Sequence, residues 1–272
     1  MKRGLFFLVL LAIWAGGDRA QGESPLRMLM TGDDSRGWQA VGRLNIGRRS
    51  FCTGALIAPD LVLTAAHCMY NMDTGLRIPD NEIEFLADLR SGRASAQRRV
   101  KRALVHPGFA MSDDDFATRV AYDIAILELD QPIRNTSIKP FSTEARPVDG
   151  AEVGVVSYAQ DRAESPSLQE VCHVLARQNG ALILSCDVDF GSSGAPIFVI
   201  EQGEARIVSL VSAKAKMSGQ PVALGTSLQA PLAELLAMRA NGDGVFHKPA
   251  PPVRRLSLTD THSATGAKFL RP

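Results

Sequence analysis

Phe51-Cys-Thr-Gly-Ala-Leu-Ile-Ala-Pro-Asp-Leu-Val-Leu-Thr-Ala-Ala-His-Cys68 is the stretch that decides the architecture. Residues 51–58 read as a strand. Pro59-Asp60 stops it, because proline has no N–H for a ladder and Asp favours a turn. Residues 61–64 read as a short strand, apolar almost throughout, as burial on both faces requires. Ala65-Ala-His-Cys68 reads as a small-residue turn. Upstream, residues 38–46 alternate apolar and polar, and Gly47-Arg-Arg-Ser50 reads as a hairpin turn. Downstream, strands are expected at 82–89, 99–106 and 124–129. Pro132, Pro140 and Pro147 mark 131–150 as a connection between two halves. Strand patterns resume at 152–159, 170–176, 182–187, 196–201, 205–213 and 222–226. Strands this short, with turns every ~8–12 residues, point to a sandwich or a barrel. One helix is expected at 231–240, with Pro231 in its first turn and Asn241-Gly242 at its stop.

The two ends differ from this body. Lys2 and Arg3 precede an apolar run at 5–15, followed by the small residues Gly16, Gly17, Ala20 and Gly22. That is the pattern of a secretory signal peptide, and the run is short of the ~20 residues a membrane span needs. Residues 244–272 are Pro-rich and polar and read as a disordered tail. A formal net charge of +1 over 272 residues leaves no broad field for nucleic acid or an anionic membrane. Export makes the four cysteines readable as disulfides. Three connectivities are open, and the local pairs Cys52–Cys68 and Cys172–Cys186 are the simplest. A metal site at His67-Cys68 or Cys172-His173 is the competing reading, but Cys-x-x-Cys and His-x-x-x-His spacings are missing. Asp113-Asp-Asp115 lacks the Gly and Glu of a calcium loop.

The chemistry concentrates in Asp187-Val-Asp-Phe-Gly-Ser-Ser-Gly-Ala-Pro196. Ser193 stands in a turn that Gly191 and Gly194 allow to be tight. A serine hydroxyl becomes a nucleophile when a base takes its proton and donors meet the developing charge. Of five histidines, His67 is the best base: it ends a buried strand beside a cysteine. His106 sits in Val105-His-Pro-Gly-Phe109, which reads as a surface turn. His173 is expected to point out of a strand, and His247 and His262 fall in the tail. The carboxylate that orients the base should be buried, and Asp123 opens the apolar run Ile124-Ala-Ile-Leu127. A strand-capping role for Asp123 is the competing reading.

Together these residues resemble the chymotrypsin/trypsin-like serine endopeptidases. Three blocks carry the resemblance: Cys52-Thr-Gly-Ala-Leu-Ile with Leu63-Thr-Ala-Ala-His-Cys68, Asp123-Ile-Ala-Ile-Leu127, and Gly191-Ser-Ser-Gly-Ala-Pro196, in the order His, Asp, Ser. It spans roughly residues 36–240. It implies an all-β fold of two packed antiparallel six-stranded β-barrels with a C-terminal α-helix. The domains would then be a signal peptide at 1–22, an N-terminal segment at 23–36, a first barrel at 37–135, a connection at 136–150, a second barrel with the helix at 151–243, and the tail at 244–272. It also implies a triad of Ser193, His67 and Asp123, with the N–H groups of Gly191 and Ser193 as the oxyanion hole.

Two departures from the family pattern matter. Ser192 stands where the digestive enzymes keep an Asp that pairs with a freed N-terminus, and no Ile-Val-Gly-Gly precedes Trp38. The chain therefore resembles the bacterial trypsin-like and glutamyl-endopeptidase branches, and its oxyanion hole must be held another way, with the Cys172–Cys186 bridge as one candidate. Asp187, six residues before Ser193, has the spacing that in trypsin gives preference for Arg or Lys. An Asx turn is its competing role, and Asp189 is similarly ambiguous. Ser209 or Ser212 matches the strand that pairs with substrate backbone. The expected protein is an exported, secreted or periplasmic monomer acting on polypeptides. It would use no cofactor or metal, bind no nucleic acid, and have no membrane attachment once the signal is removed. The alternative is a protein-binding module on the same scaffold with little catalysis.

Overall fold

The computed structural model of the chain describes residues 23–47, 50–111, 115–144 and 147–243. The expected signal peptide and tail lie outside the described residues, as do Asp113 and Asp114.

A short strand β1 (Arg27–Met28) comes first, then six strands that close a barrel. They are β2 (Val41–Ile46), β3 (Ser50–Ala58), β4 (Leu61–Thr64), β5 (Ile83–Ala87), β6 (Ala96–Val105) and β7 (Ala125–Leu129), joined in the order β2-β3-β4-β7-β6-β5. All of their pairings are antiparallel. β4 lies between β3 and β7, which is why all four of its residues are buried and its sequence is nearly all apolar. A helix α1 (Phe116–Ala121), capped by the Asp115 carboxylate on Ala117 N–H, leads into Asp123.

The second half supplies β8 (Glu152–Ala159), β9 (Arg162–Gln178), β10 (Ala181–Leu184), β11 (Pro196–Glu201), β12 (Glu204–Met217) and β13 (Gln220–Ser227). Their order is β9-β10-β13-β12-β11-β8, and β8 pairs again with β9, so this sheet also closes on itself. The long β9 makes this possible: its first part pairs with β8 and its last residues with β10. β1 adds to β9 from outside, Arg27 opposite Leu168. The helix α2 (Gln229–Asn241) follows. It starts two residues before Pro231 and ends at Gly242, whose φ of 80° is the left-handed cap that glycine adopts without strain. Two antiparallel β-barrels and a C-terminal helix are the fold expected from the sequence.

Tertiary structure accounts for two local differences from the sequence reading. His106 opens the expected turn, which Phe109 N–H closes onto its carbonyl with Pro107 and Gly108 exposed, but its own side chain is buried. Its ring stacks on Tyr122 at 4.9 Å and its Nε2 lies 3.0 Å from Glu234 of α2. The residues before Glu170, which are too polar to show an apolar alternation, are strand: Ser165, Ser167 and Gln169 are buried in β9.

One apolar cluster fills the first barrel and crosses the seam to Tyr158, Phe198 and Leu210, while Val155, Leu184 and Ile197 belong to a separate cluster inside the second barrel. Trp38, Phe141 and Phe198 meet at the seam with ring centroids 4.7–6.2 Å apart, one residue from before β2, one from the connection and one from β11. The connection is pinned on both sides: Phe141 N–H donates to Leu56 O, and Glu144 N–H donates to Ile207 O.

Both local disulfides are present. Cys52–Cys68 ties β3 to the turn carrying His67, and Cys172–Cys186 ties β9 to the segment after β10. Each closes a short loop, 16 and 14 residues in separation. Replacing Cys52 and Cys68 together with alanine is expected to lower the unfolding free energy by about 3 kcal/mol in the loop-entropy account. A urea melt of the oxidised protein checks it; an unchanged midpoint would contradict it.

Candidate active site

A cleft of about 920 Å³ runs between the barrels. Its walls include His67, Asp123, Gly191, Ser193 and Ser212, brought from β4's end, the turn after α1, the loop before β11, and β12. Three sequence blocks that lie far apart along the chain thus converge on one surface.

Asp123 is 2% exposed and collects three hydrogen bonds. The backbone N–H of His67 donates to its Oδ1 at 2.8 Å. His67 Nδ1 and Ser212 Oγ both donate to Oδ2 at 2.6 Å. A carboxylate only accepts, so Nδ1 carries the proton and the lone pair of the neutral ring is on Nε2. Burial drives the His67 pKa down, but the charge and hydrogen bond of Asp123 outweigh it, so the net position is above the ordinary 6.5. Thr226 anchors the turn beneath: its hydroxyl lies 2.8 Å from Val120 O and 3.2 Å from Asp123 O.

Ser193 is half-buried and faces the same cleft as His67. Among the described residues no hydrogen bond joins its Oγ to Nε2. Catalytic pairs are commonly open at rest and close around substrate. Gly191 has φ 97°, and a Cβ there would lie 2.3 Å from the Phe51 ring. Gly194 has φ 76°, and a Cβ would lie 2.2 Å from Thr64 Oγ1. Both glycines are therefore required by conformation and by space.

The remaining candidates separate by position. Ser212 lines the cleft and holds Asp123, whereas Ser209 is buried and donates to Thr226 O at 2.7 Å. Asp187 is exposed, does not line the cleft, and donates its N–H to Gln169 Oε1 at 2.8 Å. Asp189 does line it, with its carboxylate 3.7 Å from Lys214 Nζ. Cys52, His67 and Cys68 come within 4.8 Å of one another, but the two sulfurs are bonded to each other, and metal binding needs thiolates. Ser192 is fully buried, with its hydroxyl 3.2 Å from both Ser157 Oγ and Tyr158 O and accepting Asp189 N–H at 3.3 Å. Thr53 and Thr226 were not singled out by the sequence: each binds groups roughly a hundred residues away, which no local pattern encodes.

The Trypsin family model matches residues 31–225. Kallikrein-8 of Homo sapiens is 30% identical over 142 residues, covering 52% of this chain and 50% of that protein. Glutamyl endopeptidase of Bacillus licheniformis is 27% identical over 158 residues, covering 57% of this chain and 46% of that protein. The chain thus spans about half the length of these curated relatives. Among solved structures, a Glu endopeptidase in complex with MPD superposes with a TM-score of 0.66 at 19% identity, over 81% of this chain and 98% of that one; this likeness concerns the fold.

Proposed function

Since the chain belongs to the trypsin family, we propose that it is an exported serine endopeptidase that hydrolyses polypeptides through an acyl-enzyme. One observation carries this reading: a buried carboxylate holds His67 Nδ1, in a cleft that Ser193 also lines. Ser193 Oγ attacks the scissile carbonyl carbon while His67 Nε2 takes its proton. The C–N bond breaks and the amine leaves with that proton. Water then adds to the acyl-enzyme by the same proton path, releasing the acid and restoring Ser193. The N–H groups of Gly191 and Ser193 receive the oxyanion, and the cleft-lining residues 212–214 of β12 are the edge for substrate backbone. Two disulfides suit an oxidising compartment, in keeping with export through residues 1–22.

The test is labelling of the oxidised, exported protein by a fluorophosphonate probe. Labelling at Ser193 supports the peptidase; no labelling favours a binding module on the same scaffold.

Two readings compete for substrate preference. A basic preference rests on Asp187, whose carboxylate stands off the cleft wall. An apolar preference rests on Val188, Val211 and Ala213, which do line the cleft, and on Asp189 being paired with Lys214. We take the second. A fluorogenic peptide with Phe on the acyl side should be cut about tenfold faster than one with Arg, since burying an ion without a free partner is costly. Faster cleavage after Arg would restore the role of Asp187.

A further inference from the structure

Four consecutive carbonyls around the nucleophile are held in place. Phe190 O accepts Gln160 N–H at 2.7 Å, and Gly191 O accepts Thr53 Oγ1 at 2.9 Å. Ser192 O accepts Ala195 N–H at 2.9 Å, and Ser193 O accepts Thr53 N–H at 2.8 Å. The N–H groups of Ser192 and Gly194 are also engaged, by Asp189 O and Val211 O. Among the described residues, the N–H groups of Gly191 and Ser193 alone in this run have no partner, and both residues line the cleft. In a trans peptide the N–H points opposite to its carbonyl. Anchoring the carbonyls of Phe190 and Ser192 in the protein therefore aims these two N–H groups outward.

Gly191 is the weak point of such an arrangement, because a residue without Cβ rotates freely. The peptide after it, which links the two that carry those N–H groups, is held at its N–H by Asp189 O and at its carbonyl by the Thr53 hydroxyl, which comes from β3 of the other barrel. Thr53 is fully buried, and its hydroxyl both donates to Gly191 O and accepts Tyr158 N–H at 3.1 Å. Its own N–H holds Ser193 O. Neither disulfide makes any of these contacts. The residues nearest the chain's described start lie elsewhere, along β9, where Ser24 N–H donates to Val171 O.

We propose that Thr53 is a positioning residue for the oxyanion hole. Its hydroxyl spans the two barrels and holds the Gly191 peptide, a task for which this chain has no acidic residue at Ser192. The hole is then formed in the resting protein, without an ion pair to a freed N-terminus. This rests on the reading of Ser193 as nucleophile.

The test compares the parent with T53V, T53A and T53S. T53V keeps the shape and removes the hydroxyl. It should lower kcat about 10–100-fold, less than removing an oxyanion donor outright, with KM nearly unchanged. Affinity for a peptide aldehyde, whose hemiacetal oxygen occupies the hole, should fall by the same factor. T53S should recover to within about threefold on both readouts. Thermal unfolding shows whether T53V is folded; if it is not, T53A against T53S isolates the hydroxyl. Parent-like kcat and aldehyde affinity in the variants lacking the hydroxyl overturn the role of Thr53 and leave the peptidase reading standing, because the parent still labels with fluorophosphonate. A parent that does not label overturns both.

Discussion

Ser193→Ala is expected to reduce turnover of a peptide substrate by at least ~10⁴-fold while the protein stays folded and still binds that substrate. The magnitude is that of the chymotrypsin triad, carried over to this member of its family. The structural part of the expectation comes from the surroundings of Ser193. Among the described residues its hydroxyl makes no hydrogen bond, so removing it leaves no buried partner unsatisfied. What holds the turn is backbone: Ser193 O with Thr53 N–H, and Gly194 N–H with Val211 O. Alanine keeps both. Cleavage assays, a fluorophosphonate label and a thermal melt separate the outcomes. Parent-like cleavage by the variant removes Ser193 from the mechanism. Loss of cleavage together with a large drop in melting temperature would mean that the side chain matters for folding instead.

The parts of this protein that could be read from its sequence are those in which neighbours along the chain are also the physical cause. β4 was legible because Pro59-Asp60 ends β3 and an apolar quartet follows, as a strand enclosed between two others must be. His67 was legible because the chain leaves that strand through small residues and reaches a cysteine whose partner is on β3. Asp123 was legible as an acid at the head of an apolar strand, since such a group is stable only with partners. Less legible were residues whose role depends on distant groups. The start of β9 is polar because Ser165 and Gln169 bond to other segments, Ser165 to Ser91 N–H and Gln169 to Ser24 O and Asp187 N–H. α1 has six residues, too few to show a helical period. His106 is buried by Tyr122 and by Glu234 of a helix more than a hundred residues later. Ser192 was noticed for what it lacks; only its three short contacts explain how an uncharged residue fills that site.

Asp123→Asn should lower kcat by about 10⁴-fold, again on the triad's scale, and should also move the pH profile in a direction set by this site. The Asp123 carboxylate accepts from His67 N–H, His67 Nδ1 and Ser212 Oγ. A carboxamide offers one oxygen and one donating nitrogen in the same space. If its oxygen stays with the backbone N–H of His67, its NH₂ faces Nδ1, and the imidazole moves its proton to Nε2. That nitrogen then has no lone pair for the proton of Ser193. The pH effect follows from signs. Catalysis needs His67 neutral, and His67 in the parent sits above 6.5 because Asp123 outweighs burial. The acid limb of kcat/KM in the parent should therefore have its midpoint above 6.5. Without the charge of Asp123, what remains is burial and the Arg119 charge, and both push down. The residual activity of the variant should have its acid limb below 6.5. Stability moves with the same proton. The folded parent holds it more tightly than the unfolded chain does, so this stabilisation is full below about 6.5 and fades as pH rises through the raised folded value. In Asp123→Asn that pH dependence should vanish or reverse. Rate profiles and urea midpoints between pH 5 and pH 9 read both effects. An acid limb that stays in place after the substitution would show that another group, not Asp123, sets the proton affinity of His67.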